Sequence, residues 1–175
     1  MIKKSFFHLI ILMLFIIITY IAFSVFKTFF YNNTNFTEKE YKLYIEPNTD
    51  FTNLLIKLDN VIKSSYYFSI ASKNKGYDSR VRSGLYIIPK GSNNNDIINI
   101  LRGQSKAVDV TFNNHERLED MVERISKQIY LDSTTLINSI YDKNFLNQNK
   151  FNPNTAIAMY LPNTYSFFWD TSVLN

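Results

Sequence analysis

Residues 84–92 read GLYIIPKGS, a short apolar strand that runs directly into a turn containing proline and glycine. Both residues favour turns because of the backbone angles that they prefer. A helix is predicted after the turn, because the next apolar residues fall on one helical face and Gly103 follows where a glycine commonly ends a helix. These apolar residues are Ile97, Ile98 and Leu101. The strand–turn–helix unit decides the fold because it occurs again on both sides.

An earlier copy of the unit begins at residue 41. Residues 41–45 (YKLYI) predict a strand, and the turn EPNT follows at 46–49. Thr49 or Asp50 is a suitable cap for the helix that comes next. Its apolar residues, spaced at i, i+3, i+4 and i+7, are Phe51, Leu54, Leu55 and Leu58.

A later copy begins at residue 108, where apolar residues occupy every second position of 108–112 before a turn at 113–115. The helix predicted after it has its apolar face at Leu118, Met121, Val122, Ile125 and Ile129. Further helices are predicted within 61–75 and after a cap at Ser133. The fold class is therefore α+β, although a generic small α+β module would also combine strands with capped helices.

The N-terminal region predicts a membrane anchor. Phe6 to Phe26 is a run of 21 residues without a formal charge, and a helix of that length spans roughly 30 Å, the thickness of the hydrocarbon core. Lys3 and Lys4 precede the run, so the positive-inside rule places the C-terminal part outside the cytoplasm. We expect a cytoplasmic tail at 1–5, the anchor at 6–30 and a linker at 31–40. A cleaved signal peptide is the alternative, with a small-x-small site at 22–24.

Composition excludes several classes of protein. The chain has no cysteine, which excludes disulfide scaffolds, thiolate zinc sites and cysteine nucleophiles. The net charge of +4 comes mostly from lysines beside the apolar run, and the remaining residues are nearly balanced. We therefore expect no nucleic-acid partner. No metal and no cofactor is expected either, because His115 lies in a turn and the only other histidine, His8, lies in the predicted span.

Two motifs in this order resemble a known family. The first is G-x-Y-x-x-P-x-G-S at 84–92 with the helix ending at Leu101 and Gly103, and the second is YLPNTYSF at 160–167. Together with the single lysine-flanked anchor that precedes them, these motifs resemble those of the endolytic murein transglycosylases. The resemblance covers roughly residues 1–172.

The resemblance implies a LysM-like module with its following helix at 41–106 and the N-terminal part of a catalytic domain at 107–175. It implies that peptidoglycan glycan strands are cut internally, which leaves 1,6-anhydro-muramic ends, at the bacterial inner membrane and in company with cell-wall synthases. The glycan-module candidates are Gly84, Tyr86, Pro89, Gly91 and Ser92. The substrate-groove candidates are Tyr160, Pro162, Asn163, Thr164, Tyr165 and Trp169.

Some positions depart from the family pattern. The family's catalytic Glu-Gly pair corresponds to Ile157 and Ala158, and Ser166 replaces an acid found in some relatives. The acids nearest in sequence are Asp142 and Asp170, and Asp170 is expected in a solvated turn. Three further acids are expected on the exposed first turns of a helix: Glu116, Glu119 and Glu123. The catalytic residue therefore stays unassigned.

The chain ends shortly after the second motif, so we expect a truncated or split catalytic domain. One alternative function is a non-catalytic, membrane-anchored peptidoglycan-binding remnant. Another is a single-span envelope protein whose small module contacts partner proteins.

Overall fold

The computed structural model describes residues 2–113 and 117–173, with side chains from Phe7 onward. Asn114, His115 and Glu116, which belong to the predicted turn and helix start, lie outside the described residues. The order of elements is α1 (Ile2–Phe30), β1 (Glu40–Ile45), α2 (Phe51–Leu58), α3 (Ser65–Asn74), β2 (Gly84–Pro89), α4 (Asn94–Arg102), β3 (Ala107–Phe112), α5 (Leu118–Ser126), α6 (Ser133–Ile140), α7 (Lys143–Gln148), the 3₁₀ helix η1 (Ala156–Met159) and β4 (Asn163–Phe168). This mixture of helices and small sheets confirms the α+β class.

The chain divides into two compact units, and β1 and β2, neighbours in one two-stranded sheet, contribute residues to both. The first unit comprises Met1–Tyr41, Asp50–Val81 and Ile88–Gly103. The second comprises Lys42–Thr49, Arg82–Ile87 and Gln104–Asn175.

The first unit begins with α1. Its stretch Phe7–Phe30 contains an 18-residue window with a mean hydropathy of 2.9 and is long and apolar enough to cross a membrane. The predicted linker after it, 31–40, is hydrogen-bonded to the same unit: Asn33 donates its N–H to the Ser92 carbonyl at 3.0 Å, and Thr34 is buried. The core of this unit consists of Leu54, Leu58, Val61, Ile62, Phe68, Ala71, Tyr77, Ile88, Ile97, Ile98 and Leu101.

Side-chain caps begin the helices of the first unit. Asp50 accepts from the Asn53 N–H at 2.7 Å and starts α2, as predicted. Asn93 and Asp96 form a capping box at α4, which satisfies backbone donors that the helix itself leaves free. Gly103 ends α4 as predicted, although its backbone is extended rather than left-handed.

The second unit is built on β3 and β4, which pair antiparallel with Ala107 opposite Phe168 and Phe112 opposite Asn163. Its core cluster collects apolar residues from β3, α5, α6, α7 and η1. These residues are Phe112, Leu118, Met121, Val122, Ile140, Leu146 and Ala156. The sequence predicts neither α7 nor β4.

Three predicted details differ from the structure. The helix expected within 61–75 starts only at Ser65, because Ser64 caps α3 by accepting from the Tyr67 N–H at 3.3 Å. The α6 cap is Asp132 rather than Ser133, since the Asp132 carboxylate accepts from Thr135 at 2.7 Å. The third is α5, which ends at Ser126, before the buried Ile129.

Candidate functional site

The second motif of the sequence lies in β4 from Asn163 onward, so its side chains alternate there between the two faces of a strand. Tyr165 lies opposite Val110, and its ring stacks on Phe112 with centroids 5.4 Å apart and planes 14° from parallel. The Tyr165 hydroxyl donates to the Leu161 carbonyl at 2.9 Å. Tyr165 therefore holds β4 against the core cluster with its ring.

Other residues of the motif are exposed to solvent. Pro162, Asn163 and Thr164 are exposed, and the Thr164 hydroxyl is 2.8 Å from that of Thr111 on β3. Asn163 and Thr164 therefore present hydrogen-bonding side chains to solvent from the two-stranded sheet.

Trp169 stands directly after β4 in an aromatic cluster with Tyr44 and Tyr130. Its ring lies 5.0 Å from Tyr44 and 5.1 Å from Tyr130, centroid to centroid. The Tyr130 N–H donates to the Trp169 carbonyl at 2.7 Å, and this bond joins the two backbone segments that carry these rings. Tyr44 and Tyr130 remain 39% and 47% exposed, so the cluster presents aromatic surface to solvent.

Sequence reasoning named Trp169 and missed its two partners. Tyr44 could have been found, because it occupies the outward position between the buried Leu43 and Ile45 of β1. Tyr130 lies outside any helix or strand, so no periodicity marks it.

A cleft of about 670 Å³ opens in the second unit between α5, α6 and α7. Its walls are largely apolar and include Met121, Leu136, Ile140, Phe145 and Tyr160. Tyr160 is a predicted groove residue, and burial raises the pKa of its phenol above the ordinary value. Among the described residues that line the cleft, one is acidic, and that residue is Asp142.

The carboxylate of Asp142 serves as a helix cap. It is exposed, and its Oδ1 accepts from the Phe145 N–H at 2.9 Å at the start of α7. The Asp142 side chain therefore has a structural role at the start of α7.

The position at which the resemblance predicts a catalytic glutamate lies in η1. Ile157 is partly buried and packs against the core cluster, and Ala158 is exposed. Neither side chain can transfer a proton. Ser166 is exposed on β4 and its hydroxyl donates to the Asp109 carboxylate at 2.5 Å.

Gly84 and Tyr86 of the first motif are both buried. Gly84 has φ +124°, and a Cβ there would lie 2.4 Å from the Ser105 Cβ, so only glycine fits. Tyr86 is buried, and its hydroxyl donates to the Ser83 carbonyl at 3.2 Å. Burial first, and the nearby negative charge of Asp170 second, raise the pKa of Tyr86.

Asp170 is only partly exposed, and it accepts a hydrogen bond from the Ser83 hydroxyl. Asp170 does lie in a turn, as expected, but its side chain is less solvated than expected. The reason is tertiary, because Ser83 is far from Asp170 in the sequence.

The remaining residues of the first motif form the turn between β2 and α4, in the first unit. Gly91 has φ +87° and donates its N–H to the Thr34 hydroxyl at 2.8 Å. Ser92 is buried, with its hydroxyl donating to the Pro89 carbonyl at 2.7 Å. Pro89 and Gly91 are exposed. The role of this turn in holding glycan stays a prediction.

Within residues 2–113 and 117–173, no three side chains of the metal-ligating types come together as a candidate metal site.

Comparison with known proteins identifies a family for this chain. The model of the YceG-like family matches residues 43–175. A crystal structure of a YceG-like protein from Listeria monocytogenes is similar over 78% of this chain and 51% of its own, with 15% sequence identity and a TM-score of 0.38. The chain thus spans about half the length of that solved relative. No curated protein matches the present chain. Because the family match covers most of the chain, the protein belongs to the YceG-like family, the endolytic murein transglycosylases.

Proposed function

We propose that this chain binds peptidoglycan glycan strands outside the cytoplasmic membrane and cuts them internally as a lytic transglycosylase, leaving 1,6-anhydro-muramic ends. The family match over residues 43–175 carries the proposal. Cell-wall synthases, which make the strands that such a lyase would cut, are the partners that this activity suggests.

The proposed location rests on α1. Phe7–Phe30 is long enough to span the hydrocarbon core. Lys3 and Lys4 precede it, so the N-terminus is assigned to the cytoplasm and both β-sheets to the outside. Membrane insertion is measured by resistance to alkaline extraction, and orientation by protease access to residues beyond α1.

Sugar contact is assigned to Trp169, Tyr44 and Tyr130. Sugar rings present C–H groups on their faces, and these pack favourably on aromatic rings, which have negative faces. The cluster combines an exposed surface with a backbone hydrogen bond beneath it. Thr164 and Asn163, exposed on β4, add donors and acceptors suited to sugar hydroxyls.

The cleavage chemistry requires one carboxylic acid. It would protonate the glycosidic oxygen and then accept the proton of the C6 hydroxyl, which closes the anhydro ring without adding water. The transition state has oxocarbenium character, as in glycoside hydrolysis. Such an acid needs a raised pKa, which burial beside apolar side chains provides.

A second candidate function is non-catalytic binding of the same glycan. The observation that favours it is Ile157, which occupies the family's glutamate position and packs on the core cluster. Asp142, the acid of the neighbouring cleft, is an exposed helix cap. A protein of this kind would hold strands near the membrane without cutting them.

One experiment distinguishes the two functions. The full chain in nanodiscs is incubated with purified peptidoglycan, and mass spectrometry measures anhydro-ended fragments while co-sedimentation measures binding. Anhydro ends above those of empty nanodiscs support the lyase. Binding without new ends supports the non-catalytic protein, and the absence of both overturns both proposals.

A further inference from the structure

The outer end of α1 is joined to the rest of the first unit by a buried polar network. Asn94 is 1% exposed and donates from Nδ2 to the Thr28 carbonyl at 2.7 Å. Its Oδ1 accepts from the Asn33 Nδ2 at 2.7 Å, and the same Asn33 amide donates to the Ser64 carbonyl at 3.0 Å. Because these buried amides are paired, the last turn of α1 has a defined position beside α3 and α4.

A small cavity of about 150 Å³ lies beside this network. Asn33 and Asn94 line it together with Lys27, Lys63 and Tyr67. The cavity is smaller than the roughly 300–1,000 Å³ of clefts that hold drug-sized ligands. A compact group, rather than an extended sugar chain, suits its size.

The charge of the cavity is positive. Lys27 Nζ lies 5.1 Å from the centre of the Tyr67 ring, a cation–π contact that keeps the ammonium at the cavity. Lys63 is a second positively charged residue that lines the cavity. Ser64, the N-cap of α3, also lines it, so the partial positive charge of that helix N-terminus lies nearby. Among the described residues that line the cavity, none is acidic. This combination favours an anion.

The position of the cavity indicates where the anion comes from. Lys27 is in the last turn of α1, at the outer end of the apolar stretch Phe7–Phe30, where lipid headgroups begin. Tyr31 also lines the cavity and is 60% exposed, and Tyr66, which contacts Tyr67 at 5.5 Å, is 68% exposed. Tyrosines and lysines are typical of the membrane–water interface.

We propose that this cavity binds the phosphate of an anionic phospholipid in the outer leaflet of the membrane. Lys27 and Lys63 contact the phosphate oxygens, and Tyr31 lies among the headgroups. The inference rests on the proposed anchoring by α1, and it is independent of peptidoglycan cleavage. Bound lipid would fix the height of the first unit above the membrane.

The test uses the full chain in nanodiscs of phosphatidylcholine with a minor fraction of phosphatidylglycerol, and native mass spectrometry counts the phosphatidylglycerol retained. Lys63→Gln is expected to lower retention about fivefold, because one cation near an anionic lipid surface contributes on the order of that factor. Lys73→Gln is the matched control, since Lys73 is exposed on α3, the helix that follows Lys63, and does not line the cavity. Lys27→Gln should act like Lys63→Gln.

Separate measurements identify the source of the phosphate. In nanodiscs of phosphatidylcholine alone, inorganic phosphate is titrated and the Lys63 region is followed by NMR. Saturable binding of inorganic phosphate without any phosphatidylglycerol preference would overturn the lipid assignment. Equal retention by the wild type, Lys63→Gln and Lys27→Gln would overturn the site itself.

Failure of the anchor is recognised independently. If alkaline extraction releases the wild type, the proposed location is wrong and so is this inference. If the wild type inserts and binds peptidoglycan yet retains no more phosphatidylglycerol than Lys63→Gln does, the lipid site alone is wrong.

Discussion

Asn94 Nδ2 donates to the main-chain carbonyl of Thr28 at 2.7 Å, across 66 residues of sequence. The carbonyl belongs to the last turn of α1, where the helix itself leaves it without an intrahelical donor. A side chain on α4 thus completes the end of the apolar helix. The same amide accepts from Asn33, so one residue joins α1, the following segment and α4 within the first unit.

Asn94→Ala should destabilise the first unit by about 1–3 kcal/mol. The change removes the donor to the buried Thr28 carbonyl and the acceptor of one Asn33 side-chain N–H. Thermal unfolding of the full chain in detergent, followed by circular dichroism, measures the change. Asn99→Ala on the exposed part of α4 is the control and should shift stability by no more than about 0.5 kcal/mol. Equal effects of the two variants would contradict the role of the network.

Gly84→Ala should be more destabilising than Gly76→Ala. Both glycines have positive φ, but an added Cβ at Gly84 would lie 2.4 Å from the Ser105 Cβ, whereas at Gly76 it would meet nothing within 4 Å. Gly76→Ala should lose about 1–2 kcal/mol from backbone strain alone. Gly84→Ala should lose more than that, and urea titrations of the two variants test the order.

Trp169→Ala should weaken binding to purified peptidoglycan about fivefold or more, as expected when a central aromatic side chain is removed from a binding surface. Trp169→Phe should retain most of the binding, since a ring still lies between Tyr44 and Tyr130. Tyr66→Ala, which removes an exposed aromatic ring from α3, is the control. Unchanged sedimentation of Trp169→Ala would remove the aromatic cluster from the proposed site.

Stability should fall at alkaline pH, in part through Tyr160. Burial raises the pKa of its phenol in the folded state above the value of about 10 in the unfolded chain. Its contribution is therefore complete below about pH 10 and is lost as the pH rises through the higher folded value. Tyr160→Phe should flatten the decline of the melting temperature above about pH 10. An identical decline in the variant and the wild type would contradict this assignment.

Asp142 is expected to act as a cap and not as the proton donor of cleavage. Asp142→Asn should leave stability nearly unchanged, because asparagine caps helices about as well as aspartate, while Asp142→Ala should lose about 0.5–2 kcal/mol. If anhydro-ended fragments are formed, Asp142→Asn should form them at the wild-type rate. Loss of the fragments in a folded Asp142→Asn would identify Asp142 as a catalytic acid instead.

Local sequence pattern was sufficient for most of the elements. The strands near 41–45, 84–88 and 108–112 and the helices α2, α4 and α5 were predicted. Most of them carry a period of 2 or 3.6 in their apolar residues, and 84–88 is a short apolar run that ends in turn residues. The α7 helix was missed because it has six residues and one buried side chain, Leu146, which is too short for a period to show.

β4 was missed for a different reason. None of its residues is fully buried, so no alternation of burial marks it, and it is a strand because its backbone pairs with β3 far earlier in the chain. The surroundings of Asp170 and the partners of Trp169 depend on the same kind of long-range approach.

By itself, the sequence determined the apolar helix, the α+β class and the motifs of the family, since these depend on neighbouring residues and their spacing. Only the tertiary structure decided which aromatic rings surround Trp169, that Asp170 meets Ser83, and that Lys27 and Lys63 share one cavity. Such contacts join residues distant in sequence, and only the packing of one element on another brings them within reach.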